Sequence, residues 1–190
     1  GADFTHFVSI SVGDDEEQTK GLEKLQNRLE EVEGIGKKKN LKKLHITLMT
    51  LNVSPEEREM VEASFTRAGE KFTEATGEGG FMLGLKGFEV GDGEQPPVFV
   101  RVELGLEILT ILRGILIDKL HTHNTDPRFT PHVTLFGGCS LDPVKRKELF
   151  KTADQLPTQP ISVRSMSLRQ RQSQQSGSEQ VTQRVIQYQF

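Results

Sequence analysis

Leu44-His45-Ile46-Thr47-Leu48 and Pro131-His132-Val133-Thr134-Leu135 nearly repeat one another, one in each half of the chain. Each alternates polar and apolar residues with period two. In a strand, that period sends His and Thr to one face and Ile46 or Val133 to the other. Two such strands facing each other would gather two imidazoles and two hydroxyls around one small cleft. A third triplet, His123-Asn124-Thr125, lacks the apolar frame and reads as part of a loop. One framed histidine would most simply be an inert core residue. Two, at corresponding places in similar halves, point to a site.

The rest of the chain supplies strands and helices around these two stretches. Phe4 to Val12 alternates and reads as a strand. Asp14 to Glu33 reads as a helix with Leu22, Leu25, Leu29 and Val32 on one face, stopped by Gly34-Ile35-Gly36. Lys37 to Lys43 reads as a basic loop. Ser54-Pro55-Glu56-Glu57 is a helix start with a capping box, and that helix should run to about Thr76. Phe81 to Val90 and Pro97 to Glu103 read as strands, and Leu104 to Leu120 as a helix. The second motif strand should run from Thr130 to Gly137-Gly138, followed by a helix from Asp142-Pro143 to Leu156. Ile161 to Arg169 and Val181 to Phe190 should close the chain as a hairpin around a low-complexity Gln/Ser loop beginning at Gln170. This order indicates a mixed α/β fold with helices covering a sheet or a pair of sheets.

Composition bounds the function. The chain has 190 residues, enough for one domain or two small lobes sharing a core. The formal net charge of −3 argues against non-specific duplex DNA binding, yet leaves room for a local basic cleft. No apolar run approaches the ~20 residues of a membrane span. The single cysteine, Cys139, excludes an internal disulfide and a Cys-rich zinc site, and a reduced intracellular protein is expected. His121 and His123 have Asp126 as the one close carboxylate. They make a poor metal site and read as surface histidines. His6 reads as structural and Cys139 as inert. Gly1-Ala2-Asp3 carries no signal sequence, and the chain is expected to be the C-terminal part of a longer protein.

The chemistry open to the motif residues is concrete. Imidazole titrates near neutral pH, so one His can accept a proton from an attacking water or hydroxyl while the other donates one to the leaving oxygen. Thr47 and Thr134 can donate hydrogen bonds to non-bridging phosphate oxygens. That set suits cleavage of a phosphate ester and needs no metal.

With both motifs intact, the chain resembles the two-histidine (2H) phosphoesterase superfamily, which is defined by two His-x-Thr/Ser-apolar motifs. Thr5-His6-Phe7, Lys42 to Leu48 and Phe129 to Thr134 are most similar to its animal branch. That branch includes the central domain of an A-kinase anchoring protein, a signal cointegrator subunit and a leukocyte-receptor-cluster protein. The resemblance spans essentially the whole chain. It implies a single domain, residues 1–190, of two pseudo-symmetric lobes in a duplicated LigT-like fold, with two antiparallel sheets flanking a central cleft and helices outside. It implies cleavage of RNA-type phosphoesters without cofactor or metal, with RNA ends, oligonucleotides or nucleotides as substrate; a monomer is the default expectation, and no membrane partner is expected. Base-holding candidates by position are Phe7, Phe99, Arg128 and Phe129. Core packing is an equal alternative for Phe7 and Phe99, and plain exposure is the alternative for Arg128. Lys37, Lys38, Lys39, Lys42 and Lys43 could steer an oligonucleotide or form a solvated loop. The rival to an enzyme is a non-catalytic nucleotide- or RNA-binding module.

Overall fold

The computed structural model describes residues 3–153, 160–171 and 184–190. In chain order the strands are β1 (His6–Ser11), β2 (Lys37–Lys38), β3 (His45–Leu51), β4 (Phe81–Val90) and β5 (Val98–Leu104), then β6 (His132–Gly137), β7 (Ile161–Val163), β8 (Ser165–Gln170) and β9 (Val185–Gln189). The helices are α1 (Glu16–Glu30), α2 (Arg58–Thr76), α3 (Leu106–Leu120) and α4 (Pro143–Ala153). Among these, no helix is long and apolar enough to cross a membrane.

The strands form one curled antiparallel sheet in the order β7-β4-β5-β6-β3-β1-β8-β9, with β2 added to β6. The order is symmetric about its centre. The two motif strands β6 and β3 lie side by side in the middle. Each pairs outward with the strand that precedes it across a helix: β5 across α3, and β1 across α1. The duplication read from the motifs is thus a duplication of a strand–helix–strand unit.

Local sequence accounts for the elements. Asp15 caps α1, accepting from the Glu17 and Gln18 backbone N–H groups, and Leu22, Leu25 and Leu29 are buried along its inner face. Val61, Phe65, Ala68 and Phe72 do the same for α2. Gly69 lets that helix approach β9 closely, since a Cβ there would lie 2.4 Å from Tyr188 Cδ1. The core runs along the sheet through Val8, Ile10, Ile46, Leu48, Val98, Val100, Val133, Leu135 and Phe136, joined by Leu109, Leu112 and Leu116 of α3.

Three expectations need correction. Part of the lysine stretch is not loop: Lys37 and Lys38 pair with Gly137 and Phe136 of β6, because the tight Gly34-Ile35-Gly36 turn returns the chain along that edge. The segment Ile161 to Arg169 is two strands. It breaks at Arg164, and β7 joins β4 while β8 joins β1, at opposite ends of the sheet. His123 is not a surface residue. It is only 8% exposed, and its Nε2 lies 2.6 Å from Glu57 Oε2. The expected β8–β9 hairpin forms, and the Gln/Ser loop lies almost wholly outside the described residues.

The third His-x-Thr triplet therefore has a structural job. Asn52 N–H donates to His123 O at 2.9 Å, Asn124 bridges to Leu51, and the Thr125 and Thr50 hydroxyls are bonded to each other. Hydrogen bonds from Ser54 first, and from His123 second, hold the Glu57 carboxyl below the usual carboxylate range. Its contribution to stability is thus complete at neutral pH and is lost as pH falls through the lowered value. His123→Leu is expected to lower unfolding free energy measurably in urea titrations. His45→Ala should leave it within about 0.5 kcal/mol. The opposite ranking would contradict this division between structural and exposed histidines.

Candidate active site

The motif strands β3 and β6 are antiparallel neighbours with Ile46 registered against Val133. Continuing that register by one residue each way sets His45 opposite Thr134 and Thr47 opposite His132. Ile46 and Val133 are fully buried on one face. The four polar residues share the other face and open on a cavity of about 210 Å³. Lys39, Asn40, Lys43 and Leu44 complete its lining, and no carboxylate is among the lining residues.

Both imidazoles are tethered in the same way. His45 Nδ1 lies 3.0 Å from the Lys43 carbonyl oxygen, and His132 Nδ1 lies 2.7 Å from the Thr130 carbonyl oxygen. A carbonyl only accepts, so each Nδ1 carries the hydrogen. Each Nε2 is left as a lone pair when the ring is neutral and as a donor when it is protonated. The strands outside the pair add an aromatic ring to each. Phe7 on β1 lies 5.7 Å from the His45 ring, and Phe99 on β5 lies 4.9 Å from the His132 ring, centroid to centroid. Both phenylalanines are half-buried against the histidines rather than part of the central core.

Each motif strand carries a β-bulge directly after its threonine. Along β1 and β3, Val8 pairs with Met49 and Ser9 with Thr47, which leaves Leu48 extra. Along β5 and β6, Val98 pairs with Phe136 and Phe99 with Thr134, which leaves Leu135 extra. A bulge frees backbone groups that must find other partners. Arg113 of α3 donates from Nε to Leu48 O at 2.9 Å and from Nη2 to Asp126 O at 3.0 Å. Gln26 of α1 donates from Nε2 to Leu135 O at 3.2 Å and to Lys39 O at 3.0 Å, and Lys39 N–H also donates to Leu135 O at 2.9 Å. Each repeat's helix therefore holds the bulge in the other repeat's motif strand. Gln26 is only 2% exposed, and burial lowers the Arg113 pKa from its ordinary value while leaving the side chain a cation.

The helical stripes alone do not mark these two braces, yet their signal is in the sequence. Gln26 sits on the apolar stripe between Leu22 and Leu29, and Arg113 between Leu109 and Leu116. A polar side chain at a core position of an amphipathic helix must have a buried partner.

The other candidates fall outside the cavity. The Phe129 ring lies under the Arg113 guanidinium, 4.8 Å from Cζ, and packs against the core. The Arg128 side chain is 93% exposed and lies beside Asp126. Of the lysine run, Lys39 and Lys43 reach the cavity, whereas Lys38 pairs with Glu30 at 2.9 Å. Cys139 is fully buried. His6 is bonded to Thr5 Oγ1, and burial lowers its pKa.

Comparison with known proteins agrees with this architecture. Residues 4–182 match the model of the family described as AKAP7 2'5' RNA ligase-like domain. Escherichia coli LigT complexed with phosphate is similar in structure, with a TM-score of 0.66 and 17% identity over 98% of this chain and 95% of that one. TT0787 of Thermus thermophilus is similar at a TM-score of 0.60 and 19% identity, over 97% of this chain and 94% of that one. The MHV ns2 PDE domain gives a TM-score of 0.53 and 14% identity, over 72% of this chain and 84% of that one. At these identities the likeness is one of fold. No curated protein matches the chain. The chain belongs to the AKAP7 2'5' RNA ligase-like domain family, within the two-histidine phosphoesterase superfamily.

The cross-bracing has a measurable consequence. Arg113→Met removes the side-chain donor to Leu48 O, and Gln26→Leu removes the donor to Lys39 O and one of the two donors to Leu135 O. Each is expected to lower unfolding free energy by about 1–3 kcal/mol in denaturant titrations. Unchanged midpoints in both would contradict the bracing.

Proposed function

We propose that the cavity is the active site of a metal-independent phosphodiesterase. Its substrates are RNA-type phosphoesters, either 2′,3′-cyclic phosphate ends or 2′,5′- and 3′,5′-linked oligonucleotides. The observation that carries this reading is the matched tethering of His45 and His132, which leaves both Nε2 atoms available at one cavity with the Thr47 and Thr134 hydroxyls. Family membership makes the chain a phosphoesterase relative. The similar LigT has been solved with phosphate and with 3'-AMP, ligands of the size and charge this cavity suits.

In the proposed reaction, one neutral imidazole takes the proton from an attacking water or from the neighbouring ribose hydroxyl (2′ in a 3′,5′-linkage, 3′ in a 2′,5′-linkage) as that oxygen bonds to phosphorus. The other, protonated, gives its proton from Nε2 to the leaving oxygen as the second phosphorus–oxygen bond breaks. The hydroxyls of Thr47 and Thr134 donate to the non-bridging oxygens, where negative charge builds. After one turnover the two histidines have exchanged protonation states. Proton exchange with water restores them, and the exposure of His45 permits it. Phe7 and Phe99, one beside each imidazole, offer faces for a base.

The test uses 2′,3′-cyclic nucleotides, 2′,5′-linked oligoadenylate and short 3′,5′-linked RNA, with and without EDTA. His45→Ala and His132→Ala are each expected to lower kcat by at least ~10²-fold, with EDTA without effect and a bell-shaped pH profile in the parent enzyme. Full activity in either variant would overturn the paired mechanism. Nucleotide binding without any cleavage would establish the binding-module reading instead.

A further inference from the structure

The two halves of the cleft match in their histidines and threonines but not in charge. Counting back equally from each motif histidine, Lys39 corresponds to Asp126 and Lys43 to Thr130. On the His45 side, Lys39, Asn40 and Lys43 all line the cavity. On the His132 side, Asp126 accepts from the Arg128 backbone N–H at 3.0 Å, and the Arg128 guanidinium is turned out to solvent. The lysines that line the cavity therefore stand at its His45 end, whereas at the His132 end Arg101 of β5, registered against His132, is ion-paired with Glu89.

The cationic end is built rather than incidental. Lys39 is fixed at its backbone on both sides, its N–H bonded to Leu135 O and its carbonyl bonded to Gln26. Its ammonium end passes beside Gly137, 3.4 Å from where a Cβ would stand. Lys43 N–H donates to Asn40 O at 2.9 Å in a tight turn. Asn40 Oδ1 is taken by the Lys42 N–H at 3.0 Å, which leaves the Asn40 NH₂ as a donor. Among the described residues, neither the Lys39 nor the Lys43 ammonium has a carboxylate partner, in contrast to Lys38, which pairs with Glu30. The cluster presents donors only, which is the chemistry of a phosphate site.

We propose that Lys39, Asn40 and Lys43 form a second phosphate subsite on the His45 side, and that the substrate is an oligonucleotide carrying at least two phosphates rather than a mononucleotide. The inference rests on the phosphodiesterase reading for the place of the reacting phosphate, and adds the requirement for a neighbouring one. It also orients the strand: the part that bears the further phosphate runs out past His45, and the single-phosphate end lies toward His132.

The experiment compares substrates that differ by one further phosphate, with its nucleoside in the first pair and alone in the others. Adenosine 2′,3′-cyclic phosphate is set against the dinucleotide ending in the same cyclic phosphate. The 2′,5′- and 3′,5′-linked diadenylates are each set against their terminally phosphorylated forms. Parent protein is expected to favour the member with the extra phosphate by about tenfold or more in kcat/KM, and the preference should shrink as salt rises. In the double variant Lys39→Met/Lys43→Met the preference should fall to within about threefold of unity. Lys42→Met, on the same turn but outside the cavity, should keep it. A parent enzyme that cleaves both members of every pair equally, or a double variant that keeps the preference, overturns the subsite and leaves the phosphodiesterase standing. If nothing is cleaved, the phosphodiesterase reading fails, and equilibrium binding of the same pairs decides the subsite. Tighter binding of the extra-phosphate member, lost in the double variant, supports it, and equal binding overturns it.

Discussion

One registered pair, Ile46 with Val133, joins the motif strands β3 and β6 at the centre of the sheet, and beside it β2 adds Lys37 with Gly137 and Lys38 with Phe136. Elsewhere the ladder is extensive, as along β1 with β3 and β5 with β6. The thinness of the central seam lets the paired strands face a cavity instead of closing into ordinary sheet. The position of every motif side chain depends on how that seam is held. A slip of one residue there would turn His45, Thr47, His132 and Thr134 into the core and expose Ile46 and Val133.

The structure meets that constraint in two ways. Burial of Ile46 and Val133 among the core residues of both halves fixes which face is which. Arg113 and Gln26 then tie the bulges after the two threonines to helices of the opposite repeat, so that neither half can shift without breaking buried hydrogen bonds. The same two side chains also hold the segments that approach the histidines, Arg113 through Asp126 O and Gln26 through Lys39 O. Bulges recur beside functional sites because they re-aim side chains. Here the two equivalent bulges keep the histidines and threonines turned to the cavity, while Leu48-Met49 and Leu135-Phe136 return to the core.

Much of this was legible in the chain because alternation and helical spacing are local. The apolar frames around His45 and His132 marked buried strands, and the β4 boundaries match the residues read as Phe81 to Val90. What was not legible was non-local. Nothing near Arg164 says that the strand before it and the strand after it leave for opposite ends of the sheet. His123 looked like a surface residue because its partner, Glu57, belongs to the start of α2. The adjacent apolar pairs Leu48-Met49 and Leu135-Phe136 break the alternation and carry the trace of the bulges, but their meaning needed the partner strands. Of the base-holding candidates, Phe7 and Phe99 stand against the imidazoles, while proximity in sequence misled for Phe129, whose ring serves Arg113.

The central claim is that two carbonyl tethers turn both Nε2 atoms onto one anion site. Nitrogen-15 NMR of the histidine rings tests it most directly, because it separates Nδ1–H from Nε2–H tautomers and follows each ring during titration with inorganic phosphate. The account expects His45 and His132 both to be Nδ1–H tautomers when neutral, and both Nε2 signals to shift together on phosphate addition, while His121 and His123 stay still. An Nε2–H tautomer at either motif histidine, or a response confined to one of them, would contradict it.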